Sequence, residues 1–299
     1  MKISVVIPAY GPTPYLERCL TALEAQTLPP LEITVFHSGP DDPTEALSAT
    51  HPNVRVTHSD TRHFAGGARN AGAQGALGDL LVFVDSDVLV ASGFLEAIAR
   101  AADDHPDSVF IGSLGRYPAG GVWSRVAWFI EFGSVFPNRP AHSANSAPSA
   151  CFGISRVAFE KSGGFRTDLF AAEDGDFFVR LRQAGLTLRF VPTAQGDHVF
   201  SGGGRRTLAR LAELGQAAAF LRRTHELPGS AAVRHPPLAA LLPFARMGQM
   251  LRRLVTENGP VGQFLLLSPL IFAGLCAWAL GFYREARRPL YPTPSDTVA

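Results

Sequence analysis

Asp85, Ser86 and Asp87 follow directly on the apolar run Leu80–Val84, which places two carboxylates two positions apart where a buried strand ends. In open α/β folds the carboxyl ends of the strands form the crevice that takes ligands. Acids held this close repel each other unless a cation lies between them. Oxygen donors suit Mg²⁺ or Mn²⁺, ions that keep waters and complete their coordination from substrate phosphates. A D-x-D on its own is a weak signal, and the competing reading is a solvated acid pair in a turn. A second acidic pair, Glu173-Asp174, opens a stretch in which Phe177, Phe178 and Leu181 share a side, the pattern of an acidic helix start with a buried face.

The elements that must position these groups alternate. Ile3–Ile7 is a β-rich run halted by Pro8, and Leu16, Cys19, Leu20 and Leu23 then fall on one helical face, with Thr13-Pro14 as the helix start. Glu32–Phe36 reads as a second strand, Asp42-Pro43-Thr44-Glu45 as a capping box, and Val54–Thr57 as a third strand. Gly66–Gly72 opens a helix of small residues that lets backbone or ligand come close. Ser92 is positioned to cap a helix carrying Phe94, Leu95, Ile98 and Ala102. Strands are expected over Val109–Gly112, Ala150–Ile154 and Leu188–Val191, while Leu114–Ser149 gives no clear period. Helices between strands at this spacing imply a Rossmann-like α/β fold with a mostly parallel, doubly wound sheet.

Composition narrows the function. A formal net charge of +1 argues against a general nucleic-acid binder, which needs phosphate neutralisation. Cys19, Cys151 and Cys276 form no C-x-x-C pair, so a disulfide framework or zinc site is not expected and a reducing compartment is. No apolar h-region follows Met1-Lys2, so export through a signal peptide is not expected either.

The runs I-P-A-Y-G at 7–11, A-R-N-A-G at 68–72, D-S-D at 85–87, G-G-F at 163–165 and E-D at 173–174 together resemble the family 2 glycosyltransferases of GT-A fold, over roughly residues 3–200. The resemblance implies a nucleotide-sugar half over about 1–112 and an acceptor half over about 113–226. Pro8 and Tyr10 would border the nucleobase and Arg69 would approach the nucleotide. Asp87 would ligate a divalent metal, Mn²⁺ or Mg²⁺, bridging the donor diphosphate, with Asp85 on the ribose side or on a metal-bound water. His198 would lie near the metal or pyrophosphate, against the alternative of a surface histidine in a Gly-rich loop. Asp174, beside Glu173, would be the general base. The chain departs from the family pattern after its second strand, where Val35-Phe36-His37-Ser38-Gly39 stands in place of an acidic or Asp-Asn pair. Ser38 would there accept from the base N–H more weakly than a carboxylate. One carboxylate on the acceptor side and a metal on the leaving side permit a single in-line displacement that inverts the anomeric centre.

The C-terminal segment, 227–299, has another character. Between Gly259 and Tyr283 there is no charged residue, and from Phe264 to Phe282 only Ser268 is polar. At about 1.5 Å per residue this approaches the roughly 30 Å thickness of a bilayer's hydrocarbon. Arg246, Gln249, Arg253 and Glu257 form a polar stripe on an otherwise apolar helix, the pattern of an in-plane interfacial helix. Arg205, Arg206, Arg210, Arg222 and Arg223 decorate the helix before it. A membrane-associated segment follows, spanning, re-entering or packed as a hairpin, with the catalytic part at the cytoplasmic face of the cell membrane and a glycan or lipid-linked acceptor. Two rivals stand beside this reading: a non-catalytic membrane-bound scaffold, favoured only by His37-Ser38, and a haloacid-dehalogenase-type phosphatase with Asp85 as nucleophile and Lys161 as its lysine.

Overall fold

Every strand expected from the sequence is present in a computed structural model of the chain, which describes residues 1–118, 120–169 and 171–288. The first half alternates β1 (Ile3–Tyr10), α1 (Leu16–Glu24), β2 (Glu32–Ser38), α2 (Thr44–Thr50), β3 (Val54–Ser59), α3 (Ala65–Ala73) and β4 (Leu80–Val84). The acids of 85–87 then break the strand before β5 (Val88–Val90), α4 (Phe94–Asp104) and β6 (Ser108–Arg116). The stretch without a clear period holds α5 (Val122–Phe132) and β7 (His142–Ala144). Beyond it come β8 (Cys151–Ser155), α6 (Arg156–Lys161), α7 (Glu173–Gln183), β9 (Thr187–His198) and α8 (Gly204–Thr224). The chain continues through α9 (Ala231–Arg234), a 3-10 turn over Pro236–Leu241, α10 (Leu242–Thr256) and α11 (Val261–Ala286).

The described strands form one sheet in the order β3-β2-β1-β4-β8-β6-β9-β5, with β7 added on β9. The parallel arrangement holds for β1 to β4. The other half is mixed: β8 runs antiparallel to both β4 and β6, and β5 and β7 run antiparallel to β9. β8 is reached through the excursion over α5 and β7, so it is not bound by the crossover geometry that keeps βαβ strands parallel. β4 therefore stands at the seam between the two halves, fully buried, with its acids at the carboxyl end.

Local details account for how the helices sit. α3 packs on β1 so closely that a Cβ on Gly72 would lie 2.7 Å from Val6 Cγ1, which is why that helix is built of small residues. Asp42 Oδ1 accepts the Thr44 amide N–H at 2.9 Å from one residue ahead of Pro43, the N-cap of α2. The cap expected from Ser92 is not made: Gly93 is the N-cap of α4, and the Ser92 carbonyl instead accepts from Thr27.

α11 is long and apolar enough to cross a membrane, yet one of its faces is committed to protein. Phe264, Leu267, Ile271, Leu275, Trp278 and Phe282 are buried in the same apolar cluster as the sheet. The contact with α8 is a backbone contact, since a Cβ on Gly215 would fall 1.9 Å from the Trp278 carbonyl oxygen and one on Gly281 1.9 Å from that of Ala212. The boundary expected at residue 226 thus falls inside a continuous core. Residues 289–299 of the expected C-terminal segment lie outside the described residues. The opposite face of this region leaves Leu241, Phe244, Val255, Leu265 and Leu266 exposed.

Candidate active site

Asp85 of the first acidic pair and both acids of the second line one cavity of about 850 Å³. Asp85 comes from the end of β4, Glu173 and Asp174 from the first turn of α7, and His198 from the last residue of β9. Arg210 and Arg222 on α8, Arg246 and Arg253 on α10 and Trp278 on α11 close the far side. Both motif turns are tied to one another. Asn70 of α3 donates through Nδ2 to the Phe165 carbonyl at 2.8 Å and accepts the Phe165 N–H at 2.9 Å, fastening the A-R-N-A-G helix to the G-G-F turn. Gly66 lets α7 approach, because a Cβ there would stand 3.2 Å from Glu173 Cγ. Ala172, at φ 72°, takes the left-handed conformation immediately before Glu173, a strained setting for a residue with a side chain.

Arg69 is the link between the two acidic pairs. Only 2% exposed, it donates from Nη2 to Asp85 Oδ1 at 2.6 Å and from Nη1 to Glu173 Oε1 at 3.4 Å, while its Nε is buried without a partner. Arg69, which lines the cavity, thus bridges the end of β4 to the first turn of α7 and reaches a carboxylate 104 residues away in sequence. Asp85 accepts the bond from Arg69 through Oδ1. Burial and the Asp174 charge push Glu173 up to about 7, against the pull of Arg69. Asp174 is raised as well, by burial, although its carboxylate accepts the Gly175 N–H at 2.6 Å. Carboxylates tuned upward in a cleft are suited to taking a proton near neutral pH.

Asp87 and His198 form the other pole. His198 Nε2 stands 3.4 Å from Asp87 Oδ1, and its Nδ1 is buried without a partner. Burial drives His198 down to about 4, so the imidazole is neutral at pH 7, the form that ligates metals. Burial, then Asp85, raise Asp87 to about 7, the behaviour of an acid lacking a compensating cation. No group of three His, Cys, Asp or Glu side chains assembles a metal cage among the described residues. A carboxylate and a neutral imidazole with the remaining positions left to phosphate and water fit Mn²⁺ or Mg²⁺. Nearby, Arg210 grips Glu131 of α5 through Nε and Nη2 at 2.9–3.1 Å.

The remaining expected residues divide. Tyr10 ends β1 half-exposed, with the Arg62 guanidinium 4.5 Å from its ring centre. Pro8 is buried inside β1, in register with Phe36. Ser38 is fully buried, and its hydroxyl accepts the His63 amide N–H at 3.2 Å. His37, beside it, is likewise engaged, through Nε2 with the Gly11 carbonyl at 3.0 Å and through Nδ1 with His58 Nδ1 at 3.1 Å. Lys161 is exposed at the end of α6, not at a helix start, which removes the lysine that a phosphatase of the haloacid-dehalogenase type requires. The polar stripe of α10 is also turned: Arg246 and Arg253 face the cavity, and the exposed positions include Phe244 and Val255. Glu131 went unread in sequence, Asn70 was noted only within the A-R-N-A-G run, and the two α10 arginines only as an interfacial stripe. Glu131 had a signal, a single acid in the apolar run V-A-W-F-I-E-F.

The sheet, the seam at β4 and the acids on either side of the cleft are those of a GT-A fold. The sequence profile described as glycosyl transferase family 2 matches residues 4–163, and the chain belongs to that family. A pre-mycofactocin glycosyltransferase of Mycobacterium tuberculosis is 28% identical over 280 residues, 91% of this chain and 56% of that protein, so the chain spans little more than half the length of that relative. An N-acetylglucosaminyl-diphospho-decaprenol L-rhamnosyltransferase of the same species is 29% identical over 231 residues, 66% of this chain and 75% of its own length. Among solved structures, the mannosyltransferase PcManGT of Pyrobaculum calidifontis, in complex with GDP-Man and Mn²⁺, superposes with a TM-score of 0.62 at 20% identity, covering 94% of this chain and 86% of that one. S. aureus TarS 1–349 with UDP-GlcNAc gives 0.56 at 16% identity, with 96% and 90% coverage.

Proposed function

We propose that this chain is an inverting, metal-dependent glycosyltransferase that moves a sugar from a nucleotide-sugar donor to a lipid-linked acceptor at the cytoplasmic face of a membrane. The observation that carries the reading is one cavity lined by His198, whose Nε2 stands 3.4 Å from Asp87 Oδ1, and by the raised Glu173-Asp174 pair. Asp87 and His198 would hold Mn²⁺ or Mg²⁺, which when bound neutralises the charge developing on the leaving diphosphate. Asp174, half-buried and raised, accepts the proton of the acceptor hydroxyl as that oxygen attacks C1, and Glu173 beside it is kept in place by Arg69. Arg210, which also lines the cavity, is held by Glu131 at 2.9–3.1 Å. With a base on the acceptor side only and an activated leaving group, one displacement completes the transfer without a covalent intermediate. The lipid-linked acceptor is supported by the exposed apolar face of α10 and α11 beside the cavity, and by the acceptor in the name of the rhamnosyltransferase relative. Such a face suits the bilayer boundary.

The test is turnover of UDP-GlcNAc and GDP-mannose by the full chain with Mn²⁺, scored as nucleoside diphosphate release. Asp174→Asn is expected to lower kcat by about 10²-fold or more with donor affinity preserved. Release of inorganic phosphate, no release at all, or a loss confined to donor affinity would each overturn the reading.

A further inference from the structure

The cavity is electrically divided. At its α7 end stand Asp85, Glu173 and Asp174 with Arg69, and Arg210 is neutralised by Glu131. Three further arginines, Arg222 from α8 and Arg246 and Arg253 from α10, line the same cavity, and no carboxylate lies within 4 Å of any of them among the described residues. Glu257, the acid nearest in sequence to Arg253, is gripped instead by Arg139. Glu213 of α8 lines the cavity exposed and unpaired. Leaving cations in a protein cavity without counter-charges is costly. Burial and the charges of Arg222 and Arg253 pull Arg246 down to about 10, so these groups repel one another.

The protein nonetheless fixes their positions. Arg222 is braced by donating from Nε to the Pro228 carbonyl at 2.9 Å and from Nη1 to that of Ala218 at 2.8 Å. Arg246 lies over the Trp278 ring with its guanidinium carbon 4.1 Å from the ring centre. Arg253 donates to the Gly133 carbonyl at 3.3 Å. These partners are neutral, and they hold the guanidinium groups without cancelling their charge. The cluster is also next to the proposed base: a Cβ on Gly175 would meet Leu221 Cδ1 at 2.2 Å, so Arg222 follows directly on the residue that packs against the neighbour of Asp174.

We infer that Arg222, Arg246 and Arg253 form an anion site on the acceptor side of the cavity, which binds a phosphate or diphosphate group carried by the acceptor. Guanidinium forks match phosphate oxygens in pairs, and the site lies where an acceptor's leading hydroxyl reaches Asp174 while its charged link is held by α8 and α10. This rests on the reading of the cavity as a glycosyltransferase active site, and deepens it by naming what the acceptor carries.

The experiment is calorimetric titration of the full chain, in detergent and chelator, with farnesyl diphosphate, farnesol and inorganic pyrophosphate as probes. Arg246→Gln and Arg253→Gln are each expected to weaken farnesyl diphosphate by about tenfold or more, the scale of a charge-assisted bond, with Arg246→Lys recovering part of the loss. Arg205→Gln, at an exposed position outside the cavity, removes the same charge as a control. Because Arg246 packs on Trp278, the Arg253 variant keeps the test standing should the first fail to fold. Farnesyl diphosphate binding more tightly than pyrophosphate, with both weakened by the variants, identifies the anion as lipid-linked; equal affinities identify it as a soluble phosphate, and either supports the site. Unchanged diphosphate binding in both glutamine variants, or an equal loss in the Arg205 control, would overturn it. The proposed activity can fail separately, since diphosphate binding is read without turnover: an inert Asp174→Asn comparison with a positive titration rejects the enzyme reading and leaves the anion site.

Discussion

Replacing Arg69 with Met keeps much of the aliphatic stem and deletes the charge that joins the two acidic pairs. Two contacts are lost, at 2.6 Å to Asp85 and 3.4 Å to Glu173, from a side chain that is 3% exposed. Removing one member of a buried ion pair costs about 3–5 kcal/mol, because the partner is left charged and unpaired. Two features pull the figure to the lower end here. Asp85 keeps 27% of its side chain exposed, and Glu173, already at about 7, escapes its charge by protonation. Taking about 3 kcal/mol, and about 2–4 °C per kcal/mol for a chain of roughly this size, the melting temperature at pH 8 should fall by about 6–12 °C. The sign with pH follows from the same charges. Without Arg69 the folded-state carboxylates titrate higher still, so the variant's deficit is largest where they are ionised and shrinks as pH falls toward 5. Thermal unfolding of both proteins, free of metal and nucleotide, at pH 5.5 and pH 8 measures this. An equal deficit at both values would show that Arg69 matters for packing and would refute the charge-linking argument.

The pH dependence of the wild type should run in opposite directions for stability and for rate. Glu173 is raised from 4.5 to about 7, so its contribution to stability is fully present below 4.5 and is lost as pH rises through 7; kcat should instead climb through the same region as the acidic pair ionises, and a flat profile between pH 5.5 and 8 would contradict this. Gly215→Ala places a methyl against the Trp278 carbonyl oxygen and should cost about 1–3 kcal/mol or more in denaturant titration, as overpacking does, whereas Gly248→Ala on α10, with open space around it, should cost nothing of that kind. Leu266→Glu, at a position 77% exposed on α11, should lower sedimentation with anionic vesicles while leaving the melting temperature near the wild-type value. Undiminished vesicle binding by that variant together with Phe244→Glu would mean that this face does not meet lipid.

The parallel half of the fold was readable because each of its strands is a short apolar run between helices with a clear face, and because β4 ends abruptly in acids. Strand direction past β4 was not, since nothing in Cys151–Ser155 itself records that it pairs antiparallel with Leu80–Val84; that depends on the route of the intervening chain. α5 escaped because it is apolar nearly all round, packed between β6, α8 and α11, and so has lost its period. The site residues divide in the same way. Asp87, Glu173, Asp174 and His198 lie at element ends, where local pattern predicts exposure to a cleft. The ion pair of Arg69 with Glu173 was not legible because the two are remote in sequence, nor was the bond from the His63 amide to Ser38, because a hydroxyl in a strand end gives no sign of turning toward a backbone N–H. For Arg246 and Arg253, a polar stripe on a helix looks the same whether it faces water or an internal cavity.

The glycine contact between α8 and α11 bears on how the cavity discriminates. Arg222 belongs to one of these helices and Trp278 to the other, and where backbones touch at Gly215 and Gly281 there is no side chain whose rotation could widen the gap. Close-packed interiors yield little to pressure. The two walls therefore behave as the jaws of a fixed gauge: an acceptor too thick for the opening is turned away by sheer size, before any difference in attraction is felt, and a broader range of acceptors would have to come from replacing the jaws, not from loosening them.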